Sequence, residues 1–137
     1  MSIQAAMLPD GKRLHLQHGP IDLILEADGD PAQVSLAYAA ARARFETVLD
    51  VLAGELQTLR SLVPESGLQV TGPIAQRMVD VVRPFWKSKV TPMAAVAGSV
   101  ADEMLCAMCT SADLSRAYVN NGGDIAIHLS DGEEFSV

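Results

Sequence analysis

The residue types best suited to binding chemistry cluster in Asn120-Asn121-Gly122-Gly123-Asp124. Paired glycines permit positive φ and bare their backbone N–H groups, while the flanking amides and carboxylate add polar side chains. The same five residues also suit a tight β-hairpin turn, which is the commoner use of Asn-Gly. A second cluster, Gly98-Ser99, reads as the start of a helix, with Asp102 three residues on in a variant of the capping box. Free N–H donors and a positive dipole end would make that start a cradle for an anion. Ordinary capping by Ser99 is again the commoner outcome. On neighbouring elements over a floor of small residues, the two clusters outline one cleft.

The remaining reactive residues form no catalytic set. Ser99 lacks the G-x-S-x-G setting of a nucleophile elbow, and His15, His18 and His128 have no local triad partner. His15 and His18 are assigned to one face of an edge hairpin, solvated rather than metal-bound. Cys106 and Cys109 form C-A-M-C, the spacing of a redox dithiol or half a zinc site. No second such pair completes the ligand set, so packing in the core is the expected role. Asp102 and Glu103 are adjacent on a helix and diverge by about 100°, which makes them poor partners for a carboxylate pair. No metal site is expected.

The elements that must position these residues follow from periodicity. Residues 1–11 read as a frayed leader ending in a Pro-Asp-Gly turn. Alternation over Lys12–His18 and Ile21–Glu26 predicts an antiparallel hairpin with one buried face. Asp30 caps a helix with Pro31 at its first position. An apolar stripe at steps of three and four then runs to about Leu62, predicting one helix about 45 Å long that Gly54 loosens. Pro73 opens a shorter helix that Pro84 ends, with Phe85 and Trp86 sealing it. Val90–Ala97, small, apolar and uncharged, reads as a strand buried on both faces. A helix over Val100–Cys109 and strands at Arg116–Val119 and Ile125–Leu129 complete the pattern, and Ser130–Glu133 turns toward a last strand at Phe135–Val137. The expected class is α+β, a mainly antiparallel sheet with one long and two shorter helices packed on it, in a single domain over 1–137.

Composition narrows the partners. A chain of 137 residues with net charge −7 and pI near 4.7 offers no basic stripe to nucleic acid or to an anionic membrane. The sequence shows neither a spanning hydrophobic run nor a signal peptide, and a cytoplasmic protein is expected.

Three stretches carry a family resemblance: G-P-I-D-L at 19–23, V-T-P-M-A-A-V-A-G-S-V-A-D-E at 90–103 and Y-V-N-N-G-G-D-I-A-I at 118–127. They resemble an uncharacterised branch of the ApbE-like superfamily, whose better-known members are FAD:protein FMN transferases with a T-fold-like core. The resemblance runs from about Arg13 to Val137, the family's N-terminal half. It implies a flavin or nucleotide-type ligand, FAD or FMN, held by Gly98, Ser99, Ala101, Asn120, Asn121, Gly122, Gly123 and Asp124. Where those transferases carry Lys-Gly after the helix start, this chain has Asp102-Glu103, two anions in place of a phosphate-friendly cation. The Mg²⁺ ligands of the transferases fall in their C-terminal half, beyond the matching stretch. Two other readings stand beside this one: a Mg²⁺-using flavin transferase and a non-catalytic oligomeric interaction module. A sheet edge at Glu134-Phe-Ser-Val137 would invite pairing, so a homodimer or larger homo-oligomer is expected.

Overall fold

The computed structural model describes residues 2–136. Five strands form one antiparallel sheet in sequence order: β1 (Gln4–Met7), β2 (Leu14–His18), β3 (Ile21–Asp28), β4 (Arg116–Asn121) and β5 (Asp124–Leu129). The class is the expected α+β. The β2–β3 hairpin forms as its alternation predicts, because Leu14, Leu16, Leu23 and Leu25 all point to one face and are fully buried. On β4 and β5 the same face carries Ala117, Val119 and Ala126.

Helices cover that face. Asp30 accepts from the Ala32 N–H and starts α1 (Pro31–Phe45), as predicted. The stripe beyond it is not one helix but three: α1, α2 (Val48–Gly54) and α3 (Leu56–Leu59). A straight helix over that stretch would reach about 45 Å, whereas the longest strand, of eight residues, spans about 27 Å. Breaks at Glu46-Thr47 and Glu55 fold it back, so that Phe45, Val48, Leu52 and Leu59 all stay in the core. Glu55 gains a second role at its break. Its carboxylate accepts from the N–H groups of Thr71 and Gly72, at 2.9 and 2.8 Å, and so ties the break to the segment that leads into α4 (Pro73–Val82). Pro84 follows α4 as expected, inside a 3₁₀ segment over Arg83–Ser88.

Val90–Ala97 forms no strand: Val90 and Thr91 lie outside regular structure and the rest is helical. Pro92 opens a 3₁₀ turn over Pro92–Ala95 that runs into α5 (Val96–Ser111). A short apolar run suits either state, and here alanine's helix propensity and proline's preference for a first turn decide. The combined run Pro92–Ser111, 20 residues of mean hydropathy 1.3, is long and apolar enough to cross a membrane, against the expectation of no such run. In the fold it packs on α1, α4, β4 and β5. Its Glu103 lies 3.1 Å from Arg44 and 3.5 Å from Arg77.

Both ends of the sheet also depart from expectation. Gln4–Met7 is an edge strand rather than a frayed leader. All four residues are exposed, so no alternation betrays it. After β5, residues 133–136 form no strand, and Val137 lies outside the described residues. Phe135 instead sets its ring edge-on to Tyr118 at 6.0 Å and under the Arg116 guanidinium at 5.4 Å. The free edge on this side is therefore β5 itself.

Candidate functional site

The cleft forms where α5, α4, the two 3₁₀ segments and the tip of the β4–β5 hairpin meet. It encloses about 400 Å³ and is lined by Val81, Val82, Phe85, Val90, Ala94, Ala95, Gly98, Ser99, Asp102 and Asp124. Strand parity explains the convergence. Asn121 and Asp124 pair across the hairpin and share the face that α5 covers, so the turn delivers the Asp124 side chain to the helix. One bond secures the approach: Asn121 Nδ2 donates to the Ala97 carbonyl at 3.2 Å.

Of the eight residues predicted for the site, three line the cleft. Gly98 sits in the first turn of α5, and a Cβ built there would meet no atom within 4 Å, so the cleft opens directly above it. Ser99 is buried in the wall. It is not the N-cap, a position Ala95 occupies, because the helix starts one turn earlier than its glycine suggests. Asp124 is exposed at the mouth. The other five do different work. Ala101 is fully buried in the core. Asn121 buttresses the hairpin. Asn120 faces the other side of the sheet and accepts from the Gly123 N–H at 3.0 Å. Gly122 and Gly123, at φ 60° and 105°, form the two-residue turn.

Several contributors escaped the sequence reading. Phe85 is 62% exposed and lines the cleft rather than sealing a helix end. Val81, 52% exposed, joins it from α4. Asp102 points to the cleft while Glu103 turns to Arg44, the divergence their adjacency requires. The signal for Phe85 lay in its place beside Pro84, since a 3₁₀ segment has no continuous buried stripe to hold an aromatic.

The cleft is thus an apolar trough with two carboxylates and no cationic residue in its lining. Carboxylates at the mouth of an apolar site accept hydrogen bonds and favour neutral or cationic groups over anions. A larger hollow of about 520 Å³ lies beside Lys12, Tyr38 and Arg42, but it contains none of the predicted residues. Its Lys12 ammonium is already held by Glu26 at 2.9 Å and Asp28 at 3.4 Å, and those partners raise its pKa.

The other reactive residues stay apart. Cys106 is exposed rather than packed in the core. Cys109 is half-buried, and that burial, with Cys106 next, pushes its thiol pKa up, the opposite of an activated thiolate. His15 and His18 lie on opposite faces of β2, as their odd spacing dictates, which corrects their assignment to one face. His15 pairs with Asp22 at 2.6 Å, and His18 is buried against the Phe45 ring. Among the described residues, no group of three or more His, Cys, Asp or Glu side chains could hold a metal ion.

A family model described as AbpE bacteria matches residues 5–137, nearly the whole chain. This family is distinct from the ApbE-like flavin transferases, and the match overturns the resemblance drawn from the three sequence stretches. Those stretches encode a capped turn and a small-residue helix start, features that unrelated families share. No curated protein matches the chain.

Proposed function

The chain belongs to the AbpE bacteria family, and from the cleft it carries we propose that it binds a planar, ring-bearing small molecule of flavin or nucleoside type. The ring lies in the trough between Phe85, Val81 and the bare backbone at Gly98. Asp102 and Asp124 accept hydrogen bonds from its polar edge. The observation that carries this reading is the meeting of two carboxylates, 22 positions apart in sequence, at the mouth of an otherwise apolar cleft. The same two charges argue against a bare phosphate, which they would repel. A phosphorylated ligand would enter with Mg²⁺, which is commonly shared between one or two carboxylates and the ligand's own phosphates.

Isothermal titration with riboflavin, adenosine, FMN and ATP, with and without Mg²⁺, tests the proposal. Riboflavin or adenosine should bind in the micromolar range, FMN or ATP only with Mg²⁺. Asp124→Ala should weaken the productive ligand at least about tenfold, the equivalent of roughly 1.4 kcal/mol. Absence of heat with every ligand, or equal affinity in Asp124→Ala, would refute it.

A further inference from the structure

We propose that β5 is the seam of a two-fold homodimer, in which two copies of Asp124-Ile125-Ala126-Ile127-His128 pair antiparallel about Ala126. The two free edges of the sheet differ in a way that selects this one. Every residue of β1 is exposed, but its only large apolar side chain is Met7. On β5, Ile125, Ile127 and Leu129 are 56, 55 and 43% exposed, all on the face that the described helices leave open. A row of three large apolar side chains on an unpaired edge is a template for another strand.

The segment is complementary to itself. Read antiparallel about Ala126, it sets Asp124 opposite the partner's His128, Ile125 opposite the partner's Ile127, and Ala126 opposite the partner's Ala126. The two-fold repeats the acid–imidazole and isoleucine pairs, so each Asp124 carboxylate meets a ring that can donate a hydrogen bond to it. Hairpin geometry supplies the hydrogen bonds. The two-residue turn makes Asn121–Asp124 a hydrogen-bonded pair, and Val119–Ala126 and Ala117–His128 follow it in register. Ile125 and Ile127 then aim their N–H and C=O groups outward, and pairing them with the partner would form about four main-chain bonds. The next register, about Ile127, would set Asp124 against the partner's Ser130 and lose both acid–imidazole pairs. His128 faces the helix side, where its Nε2 lies 3.3 Å from the Leu114 carbonyl. In the dimer the partner's His128 therefore stands beside Asp124, at the mouth of the cleft.

Sedimentation and site-directed cross-linking test the seam without reference to any ligand. The wild type should sediment as a dimer. Ile125→Lys with Ile127→Lys, substitutions at exposed positions, should keep the circular dichroism spectrum and raise the dimer dissociation constant at least tenfold. On a background with Cys106 and Cys109 replaced by alanine, Ala126→Cys should cross-link to its own copy under mild oxidation. Cα atoms opposite each other in a non-hydrogen-bonded pair lie about 4.5 Å apart, within disulfide reach. Ile127→Cys should not cross-link. A monomeric wild type, a dimer that survives the double lysine variant, or cross-linking by Ile127→Cys instead of Ala126→Cys would overturn the proposal. If Ala126→Cys fails to fold, the lysine variant still decides.

Discussion

Asn121 and Ala97 are joined by one hydrogen bond, Nδ2 to carbonyl oxygen at 3.2 Å, and it ties the β4–β5 hairpin to the first turn of α5. The two residues are 24 positions apart and belong to the two elements that frame the cleft. The bond sets where Asp124 stands relative to Gly98.

Removing that bond should loosen the site before it loosens the fold. Asn121→Ala should cost about 1 kcal/mol, the usual net worth of such a bond. Asn121→Asp should cost more, because a carboxylate has no proton to offer the Ala97 carbonyl and it would sit on the hairpin beside Asp124. Urea unfolding of the three proteins should rank them wild type, alanine variant, aspartate variant. Equal midpoints would mean that the hairpin holds its position without Asn121.

Acid should loosen the opposite end of the sheet. Asp10 accepts from the N–H groups of Lys12 and Arg13 and from Arg13 Nε, at 2.9, 3.1 and 2.6 Å. These bonds, the one from Lys12 N–H foremost, lower its pKa from 3.8 to about 2. A carboxyl depressed in the folded state adds stability that is full above its unfolded pKa and fades as pH falls toward its folded one. The loss should therefore run from about pH 4 down to about 2. Asp10→Ala should be less stable than wild type at pH 6, and the difference in melting temperature should shrink as pH falls through about 4 and close only below the folded pKa of about 2. A gap as wide at pH 2 as at pH 6 would show that the side chain acts by packing and not by its charge.

How much of this was legible depends on how each residue carries its signal. Leu14, Leu16, Leu23 and Leu25 alternate and are buried together, so the β2–β3 hairpin could be read directly. Pro73 and Pro84 bracketed α4 for the same local reason. Gln4–Met7 gave no such signal, because a strand exposed on all its residues needs no apolar alternation. The break between Phe45 and Val48 carries neither glycine nor proline, and tertiary packing alone makes it. In the cleft, glycine and aspartate patterns located Gly98, Ser99 and Asp124. Phe85 reaches the same cleft from the 3₁₀ segment that holds Pro84, whereas Val81 reaches it through the packing of α4 on α5, which no local pattern encodes.

The cleft as a binding site is tested most directly by filling it. Gly98 has open space where a Cβ would stand, and glycine in a helix costs about 1 kcal/mol relative to a good helix former. Gly98→Leu should therefore fold with equal or greater stability while its side chain occupies the trough. Titrated against whichever of riboflavin or adenosine binds the wild type, this variant should lose affinity by at least about a hundredfold, roughly 2.7 kcal/mol. Undiminished binding by a well-folded Gly98→Leu protein would show that the ligand goes elsewhere and that the glycine serves only the helix.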